Sequence, residues 1–232
     1  MNSTPDPVPS KHSGAFTLIE LIVVIVVIAI VAVIALPVSG MVLNSGYRTK
    51  CASNLRQVGT AIASYSADHD GYLPGPLWRF QSCWYHDGDY GALGTLLAPY
   101  LGLTLDSEIR RADVMVCPAW QKGAPYAEEV LFVANMDVSL GSTTVNPWGD
   151  GDLLDAEGET NDNSNAVHAK KIVSLTDAGL SRTWALQDLD SLTPLPNVPK
   201  GIATKPVHGD TRNTLYFDFH VEPMRVGTNL TP

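Results

Sequence analysis

Hydrophobic and polar positions are spread very unevenly along this chain. Residues 16–36 read FTLIELIVVIVVIAIVAVIAL, a run of 21 in which only Thr17 and Glu20 are not apolar. A helix of that length, at about 1.5 Å per residue, reaches roughly 30 Å, the thickness of a bilayer core. The many Val and Ile residues favour a strand in water. In lipid a lone strand leaves its backbone groups unpaired, so a membrane helix is expected. Sixteen Leu, Ile, Val and Phe residues, at about −0.3 to −0.6 kcal/mol each, outweigh the roughly 2.5 to 3.5 kcal/mol of one acidic residue.

Beyond Pro37 a helical period sets in. Leu43, Tyr47, Cys51, Leu55, Val58, Ile62 and Tyr65 recur by threes and fours, whereas Asn44, Arg48, Asn54, Arg56 and Gln57 fall largely elsewhere. This spacing predicts an amphipathic helix. Pro37 removes a backbone donor and Gly40 and Gly46 weaken helix nearby, so Pro37 to Gly46 is expected to bend or melt. Asp68-His69-Asp70-Gly71 reads as the stop, with Gly71 as a left-handed cap. Strands are expected at Asp113–Cys117, Val130–Ala134, Lys171–Leu175, Thr183–Gln187 and Asn213–Glu222. The fold class that follows is α+β, a long N-terminal helix whose second half packs on a small antiparallel sheet.

Charge and chemistry narrow the picture. The net charge is −9 with no Lys/Arg cluster, which argues against nucleic acid as a partner. Residues 141–166 form a polar loop with six acidic residues, Asp150, Asp152, Asp155, Glu157, Glu159 and Asp162. The loop lacks EF-hand spacing and reads as solvated rather than as a calcium site. Of three cysteines, Cys83 and Cys117 are open to pairing outside the cytoplasm, while Cys51 reads as a small buried hydrophobe. His208, Asp210, Asp218 and His220 are the residues that prompt a metal or acid–base reading. With no HExxH, GxSxG, P-loop or dinucleotide fingerprint beside them, a structural role is expected, with no enzyme activity, metal or cofactor.

The segment Gly14-Ala15-Phe16-Thr17-Leu18-Ile19-Glu20, after a short polar leader, resembles the class III signal of type IV prepilins and type II secretion pseudopilins. The resemblance implies cleavage by a prepilin peptidase between Ala15 and Phe16, and N-methylation of Phe16. Ala15 stands where the family usually has Gly. It also implies that Glu20 meets the N-terminal ammonium of a neighbouring subunit, and that Pro37 is the family's helix-disturbing proline. Two unlike charges in a low-dielectric bundle attract strongly, which gives the Glu20 role its physical sense. A secretory signal cut after Gly40 is disfavoured by the length of the apolar run and the weakly basic leader. Charge bias alone (Lys11 before the run, Arg48, Lys50 and Arg56 after it) disfavours a cytoplasmic N-terminus. The prepilin signature implies that orientation nonetheless, because its peptidase acts on a cytoplasmic leader.

At the other end, residues 206–222 resemble a C-terminal signature of prepilin-like proteins, a His, nine residues, then Asp-Gly. His208 and Asp218 stand at that spacing, followed by His220-Val221-Glu222. Phe219 replaces the Gly, and a hairpin with altered turn geometry is expected there. Cys51-Ala-Ser-Asn54-Leu-Arg-Gln57, Tyr65, Asp68, Gly71 and Cys117-Pro118 are similar to the same group. The implied organisation is a removed leader (1–15), a transmembrane helix (16–36), its amphipathic continuation (37–71) and an extracytoplasmic head (72–232). The implied function is that of a filament subunit in the inner membrane, with other pilin-like subunits, prepilin peptidase and lipid as partners. The alternatives are an anchored binding protein using loops around Trp78, Trp84 and Trp148, or an anchored hydrolase.

Overall fold

The computed structural model describes residues 17–123, 130–151 and 168–227, with the backbone alone at 34–43 and 121–123. Ala15 and Phe16, and most of the acidic loop, lie outside the described residues. The chain divides into two compact units, Met1–Leu43 and Asn44–Pro232. Helix α1, Leu18–Asp68, contributes to both. Helical backbone is kept from Pro37 to Gly46, so the melted segment expected there is not found. A single proline removes one helical hydrogen bond, a loss that helix on both sides can absorb.

In the first unit every described side chain of α1 from Leu18 to Val33 is exposed, the large apolar ones by 46–76%. Among the described residues no helix is long and apolar enough to cross a membrane. In the sequence the apolar run extends past Leu18 and Val33 on both sides, from Phe16 to Leu36.

The second unit is built around the amphipathic part of α1. Cys51, Leu55, Val58 and Ile62 are all buried, at the spacing the sequence predicts, and Ala61 joins them. Asn54 departs from that prediction: it is 3% exposed, and its Nδ2 donates to the Val116 carbonyl at 2.8 Å. The helix ends at Asp68, and Gly71 (φ +82°) returns its N–H to the Ser66 carbonyl at 2.8 Å. That bond makes Gly71 the residue after the cap, and Asp70 (φ +52°) takes the left-handed cap position that the sequence assigns to Gly71.

Five strands form an antiparallel sheet: β1 (Phe80–Gln81), β4 (Phe132–Ala134), β7 (Trp184–Asp188), β8 (Thr211–Tyr216) and β9 (Val221–Arg225), in that spatial order. Two small ribbons join β2 (Trp84–Tyr85) to β3 (Arg110–Arg111) and β5 (Val138–Leu140) to β6 (Thr143–Val145). Short helices α2 (Leu93–Leu97) and α3 (Pro118–Gly123) complete the elements used below. Strands β4, β7 and β8 are buried at every position, whereas β9 is mostly exposed and carries Pro223, an edge-strand residue.

Four sequence expectations are corrected. Asp113–Cys117 and Lys171–Leu175 are not strands; 3₁₀ turns occupy Asp113–Met115 and Ile172–Ala178. The i→i+3 hydrogen bonds of these turns satisfy the backbone locally, and of the second segment only Lys171 pairs in extended fashion, in a single antiparallel bridge with Tyr72. The 141–166 loop is also shorter than expected, because its start belongs to the β5–β6 hairpin turning at Gly141 (φ +62°). Trp148 is no display residue: it is fully buried, its ring 5.5 Å from that of Phe217.

Helix and sheet meet at Gly59. A Cβ there would stand 2.8 Å from Leu215 Cδ1 in β8, so the absent side chain is what lets α1 approach the sheet closely.

Candidate functional site

Two places carry the predicted site residues, one in each unit, and they are described separately. At the start of α1 the Thr17 side chain accepts from the Glu20 N–H at 3.3 Å. The Glu20 carboxylate accepts from the Thr17 N–H and hydroxyl, each at 2.8 Å. This is a reciprocal capping box, which satisfies donors that a helix start otherwise leaves unpaired. The Thr-x-x-Glu spacing of Thr17 and Glu20 is its signal in the sequence. Glu20 therefore has an intrachain role independent of any neighbouring subunit.

In the head, Cys51 of α1 and Cys117, just before α3, form a disulfide. This corrects the cysteine assignment: Cys117 pairs with the residue taken for a plain hydrophobe, and Cys83 stays outside the bond. The reason is that Cys51 lies on the buried stripe of α1, where the Asn54 bond to Val116 draws the 113–117 segment onto the helix. The pairing spans 66 residues of sequence, and no local spacing announces it.

His208 joins the same place. Its side chain is 2% exposed, and Nε2 lies 3.4 Å from Cys117 Sγ and 3.7 Å from Asp188 Oδ2. Burial, with the Arg48 charge second, pushes the His208 pKa down to about 4, so the imidazole is neutral at ordinary pH. Asp188 at the end of β7 is pushed up to about 7 by burial, against the Asn213 N–H, which donates to its Oδ2 at 2.9 Å. Beside it Arg212 of β8 makes a buried two-point ion pair with Asp190, Nε to Oδ2 at 2.6 Å and Nη2 to Oδ1 at 2.9 Å. Sequence reasoning missed Asp188, Asp190 and Arg212. Alternation along a strand flags buried positions only where they are apolar.

The remaining signature residues do not converge on His208. Asp218 and His220 face each other across the β8–β9 turn, Oδ1 to Nδ1 at 2.5 Å, and the His220 ring stacks on Tyr216 at 4.4 Å. Asp210 is exposed. The hairpin survives with Phe219 in its turn at φ +68°, so the expected altered geometry takes the form of a left-handed phenylalanine. Such a residue costs about 1–2 kcal/mol. Among the described residues, the donors close enough to share a metal ion are Cys51, Cys117 and His208, one atom from each lying within 4.8 Å of the others.

The family described as "Prokaryotic N-terminal methylation motif" matches residues 10–36. The chain carries a prepilin-type signal. The matched segment contains Ala15, Phe16, Glu20 and the whole apolar run to Leu36. This supports a type IV pilin-like, prepilin-processed protein, with membrane insertion through an N-terminal anchor, assembly with other pilin subunits and processing by prepilin peptidase as its general implications. No curated protein and no solved structure matches the prepilin-type chain.

Proposed function

We propose that this chain is a structural, non-catalytic subunit of a type II secretion pseudopilus or type IV pilus-like filament. Prepilin peptidase cuts between Ala15 and Phe16, Phe16 is methylated, and the helix starting there anchors the chain in the inner membrane with its head outside. The observation that carries this reading is the methylation-motif match over residues 10–36. The exposed apolar surface of α1 from Leu18 to Val33 supports it, since such a surface needs lipid or other helices around it. The Cys51–Cys117 disulfide supports a head outside the reducing cytoplasm. His208, Asp218 and His220 each have a packing role, which suits a structural signature better than a catalytic centre.

Intact-mass spectrometry of the protein from its native membrane tests the reading. The expected product begins at Phe16 and is one methyl group heavier than its sequence. A chain beginning after Gly40, or one with the leader retained, overturns it.

An anchored binding protein is the second reading. It draws on an open cleft of about 760 Å³ in the head, lined by Tyr65, His69, Tyr72, Lys170 and Lys171 among others. It predicts a chain that stays unpolymerised in the membrane, whereas the filament reading predicts cross-linked ladders through α1.

A further inference from the structure

Several features of the head are not explained by filament assembly, and the buried His208 is the clearest. A neutral imidazole loses hydration on burial and needs a strong partner in return. Its Nε2 faces a disulfide sulfur, a weak acceptor. The same nitrogen lies 3.7 Å from a carboxylate oxygen of Asp188, so sulfur, nitrogen and oxygen donors meet at one place.

Two distances at His208 Nε2 match the ligand edges of a tetrahedral ion. With metal–sulfur bonds of about 2.3 Å and metal–nitrogen or –oxygen bonds of about 2.0–2.2 Å, ligand edges come to about 3.5 Å for S···N and about 3.4 Å for N···O. The structure has 3.4 Å from Cys117 Sγ to His208 Nε2 and 3.7 Å from Nε2 to Asp188 Oδ2. Cys51, Cys117 and His208 each place one donor atom within 4.8 Å of the others, and the two sulfurs are joined to each other. Reduction breaks the link and leaves each sulfur free to serve as a separate thiolate ligand.

We propose that reduction of the Cys51–Cys117 disulfide converts this place into a site for a thiophilic divalent metal ion of the zinc class. Cys51, Cys117 and His208 are its ligands, and a water that donates to the Asp188 carboxylate takes the fourth position. With a phosphine reductant, the phosphine takes the oxygen of one water and becomes its oxide. Its electron pair and the two water protons turn the S–S bond into two thiols. The ion then displaces both thiol protons and accepts the lone pair of His208 Nε2. Ion, two thiolates and carboxylate sum to a charge of about −1, which the nearby Arg48 guanidinium offsets. The clamp between α1 and the 113–117 segment is thereby kept in reducing surroundings, with coordination replacing the covalent bond.

Cobalt(II) titration of the full-length chain in detergent tests this. After phosphine reduction, one cobalt per chain is expected, with thiolate charge-transfer absorption and the intense visible bands of a tetrahedral site, both lost when zinc is added. The oxidised chain is expected to show neither. His208→Ala should still form the disulfide when oxidised, and should bind cobalt about tenfold or more weakly when reduced. Cys51→Ser should abolish the signal, and Cys83→Ser should leave it unchanged. If reduction unfolds the chain, refolding on addition of zinc supports the site, and failure to refold overturns it. Absence of the bands in a folded reduced chain overturns it too, as does wild-type affinity in His208→Ala.

Discussion

Burial moves the titrations of His208 and Asp188 in opposite directions, and this sets how the head responds to pH. Asp188 has a folded pKa of about 7 against an ordinary 3.8, so its contribution is full below pH 3.8 and is lost as pH rises through 7. His208 has a folded pKa of about 4 against 6.5, so its contribution is full above pH 6.5 and is lost as pH falls through 4. Between pH 4 and 6.5 the folded pair holds one proton, on Asp188, and the unfolded pair also holds one, on His208, so the two slopes cancel. His208→Gln removes one slope. Stability of the oxidised, metal-free variant should then fall from pH 4 to 7, by up to about 1.4 kcal/mol per pH unit. Asp188→Asn should show the opposite trend from pH 4 to 6.5. Urea unfolding at stepped pH reads both, and a pH-flat His208→Gln variant contradicts the assignment. The same cluster contains the Arg212–Asp190 pair, buried on both sides. Arg212→Ala leaves a carboxylate alone in the core and should cost about 3–5 kcal/mol in the same assay.

At the scale of elements, α1 is held to the sheet by shape and to the 113–117 segment by a covalent bond. Gly59→Val places a branched side chain against Leu215 and should destabilise the head by about 1–3 kcal/mol, readable as a lower unfolding midpoint. The double variant Cys51→Ala with Cys117→Ala opens a loop of 66 residues. In the chain-entropy picture the loss is about 4 kcal/mol, and thermal unfolding of the double variant against the oxidised parent measures it. The elements also differ in how far the sequence revealed them. The amphipathic part of α1 was legible because its partner is apolar and its period is 3.6. Strand β8 was only half legible: Thr211 and Arg212 look like loop residues, and they are buried because Arg48 and Asp190 meet them. The 113–117 and 171–175 segments looked like strands because a β-branched residue favours extended backbone whether or not a neighbouring strand is available.

For the whole molecule, the prepilin-type signal directs attention to what Glu20 does beyond its cap. Glu20→Gln keeps the capping box, since Gln serves in it equally, but removes the charge. Cysteine cross-linking of α1 in native membranes should show cleaved Glu20→Gln chains that no longer form ladders. Normal ladders would reduce Glu20 to a helix cap. The N-terminal signal, the long apolar run, the stripe on α1, the helix stop at Asp68–Gly71 and the final hairpin were all determined by sequence alone. Each depends on residues close together in the chain, through spacing, periodicity or the backbone freedom of one position. The disulfide partner of Cys51, the buried Asn54 and Trp148, and the meeting of His208 with Asp188 and Cys117 were decided only by tertiary structure. Those contacts join segments 20 to 91 residues apart, and which distant polar groups come to share a dry interior depends on how the whole chain packs.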